Sequence, residues 1–120
     1  MLQNNLIRIV SQNRLCTGVR IKVVCRVETI SLAKAAGYDT VFIDLEYSVF
    51  SEKDASRLSS AALAAGVTPF VCVPYKCGQG YVQRVLDGEA FGIVSPHIST
   101  VEEAKQVVAY TDFSPMTSDP

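Results

Sequence analysis

Asp44 and Glu46 stand two residues apart, directly after an apolar run, in the stretch VFIDLEYSVFS at residues 41–51. Paired carboxylates can orient or exchange protons, or accept from backbone N–H groups, and Tyr47 adds a phenol beside them. Two further segments place reactive residue types after apolar runs. Pro74, Tyr75 and Lys76 follow one, and Pro96, His97 and Ser99 follow another; His97 is the only imidazole in the chain. Two acids, a lysine and a histidine gathered on one rim would suit acid–base chemistry. Spacing alone leaves other readings open. Asp44 can simply cap backbone N–H groups, His97 can be a satisfied structural residue, and Lys76 can be a solvated loop lysine.

Only the order of elements can bring these residues to one rim. Four apolar runs, GVRIKVVC, TVFI, TPFVCVP and FGIVSP, each precede a segment with helical period. ETISLAKAAG places Ile30, Ala33 and Ala36 on one face and stops at Gly37. SEKDASRLSSAALAAG begins with Ser51 as an N-cap and ends at Gly66, with Ala55, Leu58, Ala62 and Ala65 as its stripe. GQGYVQRVLDG turns Val82, Val85 and Leu86 inward. In STVEEAKQVV, Thr100 and Glu103 have capping-box spacing, and Ala104, Val107 and Val108 form the stripe. NNLIRIVSQNR predicts a helix ahead of the first strand. The strand runs are continuous rather than alternating, which predicts a parallel sheet buried on both faces. The fold class expected is therefore α/β, built from right-handed βα units. Loops at the carboxyl ends of such strands share one rim.

Composition narrows the function. Apolar residues make up 48%, enough for a core, and 11 basic against 12 acidic residues give a net charge of −1. That balance offers no field for nucleic acid or an anionic membrane. No apolar run approaches the roughly 18 residues of a membrane span, and the Asn- and Gln-rich start does not read as a signal peptide. Cys16, Cys25, Cys72 and Cys77 form no C-x-x-C pair, so buried free thiols in a cytoplasmic protein are expected rather than disulfides or metal ligands. A partial domain over residues 1–111 and a disordered tail over residues 112–120 complete the expectation.

The blocks AGYDTVFIDLEYSVFS, TPFVCVP and VLDGEAFGIVSPHISTVEEAKQVV, in that order, resemble the HpcH/HpaI aldolase and citrate lyase β-subunit family. The resemblance implies a TIM (β/α)₈ barrel, of which this chain carries the first four units; a whole barrel takes about 250 residues. It also implies a divalent metal, Mg²⁺ or Mn²⁺, holding a pyruvate-like 2-oxo acid while the adjoining C–C bond is made or broken. The family pattern Asp-x-Glu-His falls on Asp44, Glu46 and Tyr47, with Asp44 as orienter and Tyr47 where a histidine is usual. Cys72 stands where an arginine is usual, and Glu89 where a glycine is usual. Glu46, Pro74 and Pro96 fall on the substrate side. The family's metal ligands would lie beyond residue 120, so the resemblance assigns none here.

These departures have expected magnitudes. A phenol is about one part in a thousand ionised at neutral pH. Loss of a general base costs about 10²- to 10⁴-fold, and loss of an oxyanion donor about 2.7–4 kcal/mol. The expected function is 2-oxo-acid aldolase chemistry that is weak in this chain alone, with self-association through unpaired sheet edges. The alternative is a catalytically inactive, aldolase-derived fragment that serves as a binding module or is a gene remnant.

Overall fold

The computed structural model describes residues 5–112. Helix α1 (Asn5–Ser11) precedes four strand–helix pairs: β1 (Gly18–Ile21) and α2 (Glu28–Ala35), β2 (Thr40–Asp44) and α3 (Glu52–Ala65), β3 (Thr68–Cys72) and α4 (Gln79–Asp87), β4 (Gly92–Val94) and α5 (Val101–Thr111). The strands form one sheet in the order β1-β2-β3-β4, and every neighbouring pair is parallel. The α/β expectation holds. The tail expected over residues 112–120 lies, beyond Asp112, outside the described residues.

Local chemistry sets the helix ends where the sequence placed them. Ser51 Oγ accepts from Asp54 N at 3.2 Å, and the Asp54 carboxylate accepts from Ser51 N at 2.9 Å, closing a capping box on α3. Gly66 ends the helix in the left-handed conformation at φ +80°, which costs a glycine little. Thr100 Oγ1 caps α5 by accepting from Glu103 N at 3.1 Å.

The sheet is covered on one face only. Val41, Ile43 and Val71 point to the helices and are buried in a core with Ile30, Leu58, Ala62 and Val85. Register and the two-residue alternation send Arg20, Phe42, Phe70 and Cys72 to the opposite face. There Phe42 and Phe70 stack at 5.6 Å between centroids, and Phe42 is 36% exposed. This corrects the expectation of burial on both faces: the strands are apolar on both sides, but no layer of the described residues packs on the second side. Two strands also stop early. β1 ends at Ile21 instead of running to Cys25, and Val23 is 78% exposed. An outer strand is held by one ladder, and nothing keeps residues 22–25 in register. β4 is likewise confined to Gly92–Val94.

The outer helices are thinner in core than their stripes predict. Ala36 of the first stripe is exposed, beyond the end of α2. No residue of α5 is buried; Val107 is half-buried and Val108 exposed, because α4 is the one element that packs extensively on α5. The four thiols are free and half-buried rather than buried. No helix of the described residues is long and apolar enough to cross a membrane.

Two local strains are legible. At the end of α4, a Cβ on Gly88 would lie 3.0 Å from the Ser56 side chain, so α3 and α4 meet over a glycine there. The left-handed position falls on Glu89, at φ +80°. Left-handed backbone costs a non-glycine residue about 1 kcal/mol. Glu89→Gly is expected to raise stability by about 1 kcal/mol, read as a higher urea midpoint at unchanged slope. The Ser59 hydroxyl, buried in α3, has no hydrogen-bond partner. Ser59→Ala is expected to raise stability by about 1 kcal/mol in the same titration.

Candidate functional site

Asp44 is the last residue of β2 and is wholly buried. Its carboxylate is satisfied by four N–H groups. Oδ1 accepts from Glu46 N at 2.8 Å and from Tyr47 N at 2.9 Å. Oδ2 accepts from Arg20 Nε at 2.9 Å and from a second guanidinium N–H of the same residue. The Ser48 hydroxyl donates to the Asp44 carbonyl. Burial alone would raise the carboxyl's pKa, but the Tyr47 N–H, the Arg20 guanidinium and the Glu46 N–H outweigh it. The net position is below the ordinary aspartate value. Asp44 is therefore an ionised hub that shapes the loop after β2, and it has no free lone pair with which to act as a base.

Glu46 and Tyr47, aimed by that loop, reach the loops of the next two units. Glu46 Oε2 accepts from Tyr75 N at 2.8 Å, and its Oε1 lies 3.6 Å from His97 Nε2. The Tyr47 hydroxyl lies 2.6 Å from the same nitrogen. His97 also meets the Tyr47 and Tyr75 rings edge-on at 6.0 and 5.8 Å. Tyr75 donates its hydroxyl to Glu103 at 2.9 Å, which raises the phenol pKa and lowers that of Glu103. Glu103 in turn accepts from the Ser99 hydroxyl at 2.9 Å. The carboxyl-end loops of β2, β3 and β4 are thus tied into one rim. Two of its members, Lys76 and His97, hold left-handed backbone at φ +58° and +59°, strain of the kind that gathers at sites.

The residues singled out from sequence fall as follows. Asp44, Glu46, Tyr47 and His97 converge. Cys72 pairs with Asp44 in the sheet register, on the open face. Its thiol pKa is raised, first by burial and then by the Asp44 and Glu46 carboxylates, with Arg20 opposing. It stays protonated at neutral pH and is no nucleophile. Pro74 and Pro96 lie in the rim loops, immediately before Tyr75 and His97. Lys76 does not join the cluster: its ammonium sits 5.3 Å from the centre of the Tyr75 ring. Lys76 instead helps line, with Pro74, Tyr75, Cys77, Glu103 and Tyr110, a cavity of about 200 Å³ beside α5 that adjoins the rim and that Asp44, Tyr47 and Cys72 do not border.

Arg20 was missed by the sequence reading. The signal was there: a lone charge inside the apolar run GVRI, on the face opposite Val19 and Ile21. A charge on a strand next to a strand ending in Asp invites a pair. No group of three or more His, Cys, Asp or Glu able to hold a metal ion occurs among the described residues.

The profile of the HpcH/HpaI aldolase/citrate lyase family matches residues 24–117. The chain is 47% identical over 113 residues to 4-hydroxy-4-methyl-2-oxoglutarate aldolase tasA of Hapsidospora irregularis, and 43% identical to 4-hydroxy-4-methyl-2-oxoglutarate aldolase cghB of Chaetomium globosum. Both matches cover 94% of this chain, which spans 42% of the length of either relative. The crystal structure of the HpcH/HpaI aldolase from Desulfitobacterium hafniense superposes with a TM-score of 0.84 at 25% identity, over 92% of this chain and 42% of that one.

The Asp44 hub has a pH signature. Its folded pKa lies below the unfolded one, so the stability it contributes is complete above the ordinary aspartate value and is lost as pH falls through the lowered value. Asp44→Asn is expected to cost about 2 kcal/mol at neutral pH. In urea titrations across a pH series, the gap between wild type and variant should close on acidification below that value. A gap that stays constant into acid would contradict the assignment.

Proposed function

The chain belongs to the HpcH/HpaI aldolase/citrate lyase family, and from that premise we propose that it carries the proton-handling rim of a 2-oxo-acid aldolase. Its four strand–helix pairs are units of a TIM (β/α)₈ barrel. One contact carries the reading: the Tyr47 hydroxyl lies 2.6 Å from His97 Nε2, in a loop shaped by buried Asp44.

Cleavage of a 4-hydroxy-2-oxo acid removes the proton of the C4 hydroxyl. The C3–C4 bonding pair then passes to C3 and leaves a pyruvate enolate, which takes a proton at C3. A tyrosine alone is a poor base for the first step, since about one part in a thousand of a phenol is ionised at neutral pH. An imidazole whose Nε2 is unprotonated changes this. As the Tyr47 oxygen takes the substrate proton, its own proton passes to His97, so no free phenolate is needed. The reverse transfer supplies the proton to the enolate. Asp44 orients, Glu46 fixes the loop bearing Tyr75 and lies beside His97, and Pro74 and Pro96 shape the substrate side. Cys72, a neutral thiol, supplies no oxyanion charge.

The relatives' names support a 4-hydroxy-4-methyl-2-oxoglutarate-like substrate. The divalent metal of this chemistry, Mg²⁺ or Mn²⁺, finds no set of three ligands among the described residues. No step here runs through it. Turnover by the 120-residue chain alone is therefore expected to be weak. Self-association belongs to the same reading, because among the described residues the sheet's outer strands and open face have no partner. So does a cytoplasmic location, supported by four free thiols.

The test is pyruvate release from 4-hydroxy-4-methyl-2-oxoglutarate, and decarboxylation of oxaloacetate, with Mg²⁺ or Mn²⁺ and then with EDTA. The chain is assayed alone and mixed with the remainder of the 47%-identical relative. The mixture is expected to turn over and to lose activity with EDTA. Tyr47→Phe and His97→Gln are each expected to lower the rate about 10²-fold. A folded mixture without turnover would leave the chain as an inactive, aldolase-derived binding module.

A further inference from the structure

Arg20 is the one cationic side chain on the four strands of the described residues. It stands beside Phe42 in the β1–β2 register, on the face away from the helices. From there it leans toward the strands' carboxyl end to reach Asp44, two residues beyond Phe42. That pairing leaves much of the arginine unused. A guanidinium carries five N–H donors in a fixed planar fork. One edge, Nε and a hydrogen of Nη2, meets Asp44 Oδ2. The other edge, Nη1 with the second hydrogen of Nη2, has no hydrogen-bond partner among the described residues. The Arg20 side chain is 52% exposed, whereas that of Asp44 is fully buried. We propose that the outer edge of Arg20 binds a carboxylate group of the 2-oxo acid, so that Arg20 is a substrate-binding residue as well as the partner of Asp44.

A carboxylate is the ligand this edge fits. Two parallel N–H groups match its two oxygens, a geometry that a lysine ammonium does not supply. Asp44 does not rely on the arginine alone, because the Glu46 and Tyr47 N–H groups hold its Oδ1. The Arg20 charge is felt at the Cys72 thiol, where it opposes the two carboxylates. Cys72, opposite Asp44 in the register, is neutral and adds no competing charge. One aspartate thus ties the arginine through Oδ2 and the loop of Tyr47 through Oδ1. The inward face at the carboxyl ends of parallel strands is where barrel loops gather around a ligand. Arg20 holds that place whatever units follow α5.

The inference rests on the 2-oxo-acid reading of the rim, and its test is read without turnover. The isotope-labelled chain, alone and mixed with the unlabelled remainder of the 47%-identical relative, is titrated by NMR with pyruvate, 2-oxoglutarate and uncharged pyruvamide at constant ionic strength. Saturable movement of the Arg20 side-chain N–H resonances is expected with acid and not with amide. A response to both acids assigns the carboxylate beside the oxo group to Arg20, and a response to 2-oxoglutarate alone assigns the distal one. Arg20→Lys keeps the charge and loses the fork. It is expected to weaken binding about tenfold, read at the Cys72 backbone amide. A purely structural ion pair predicts equal movement with acid and amide, or undiminished affinity in Arg20→Lys. Either result overturns the proposal, as does silence at Arg20 in both samples. If Arg20→Lys does not fold, the wild-type comparison of acid with amide decides. An Arg20 response in a mixture that does not turn over overturns only the catalytic reading. Turnover without an Arg20 response overturns only this one.

Discussion

A buried carboxylate must be satisfied, and in this chain that requirement organises everything at the rim. Asp44 sits at the end of β2 with no access to water, where an unpaired charge would cost several kcal/mol. The backbone answers by folding back so that the N–H groups of Glu46 and Tyr47 meet one oxygen, while Arg20 reaches from the neighbouring strand to the other. The turn that satisfies Asp44 is the same turn that sends Glu46 toward Tyr75 and Tyr47 toward His97. Satisfaction of one charge and the aim of Glu46 and Tyr47 are one structural event. Of the alternatives left open from spacing, one is seen directly: Asp44 caps backbone N–H groups, and that capping shapes the loop that carries Glu46 and Tyr47.

The fold was legible because its signals are local. Ser51 with Asp54, Gly66, and Thr100 with Glu103 mark helix ends through side-chain and backbone chemistry that acts within a few residues. Apolar runs at regular spacing between those helices leave a parallel sheet as the simple solution. What the runs did not reveal is which face is covered. TVFI and TPFVC carry apolar residues on both faces, so alternation carries little information about where a packing layer exists. That depends on elements elsewhere in space. The stripes of α2 and α5 are buried less than predicted for the same reason: a helix buries its stripe only as far as neighbours extend, and α5 has α4 as its main neighbour.

The candidate site was legible in membership and illegible in wiring. Strand-end position identified Asp44, Glu46, Tyr47 and His97 as rim residues, because a parallel sheet sends every such loop to the same end. The 2.6 Å approach of Tyr47 to His97 spans 50 residues of sequence, and no spacing rule encodes it. Lys76 shows the converse: it belongs to the right loop, yet a left-handed backbone turns it onto the face of Tyr75. Arg20 was hidden by its surroundings, since a charge in an apolar run reads as noise until the strand beside it is known to end in aspartate.

The attachment of α5 differs in kind from that of the other helices. It buries no residue, and its first turn is fastened through Glu103, which gathers the Tyr75 hydroxyl, the Ser99 hydroxyl and its own cap. Contacts of that type are weakened by protonation of the carboxylate, whereas the apolar seams under α3 are not. The segment should therefore detach as a separate, low-cost unit long before the sheet melts. Its release would leave the strand order behind it undisturbed, since α5 contributes no buried residue to the core.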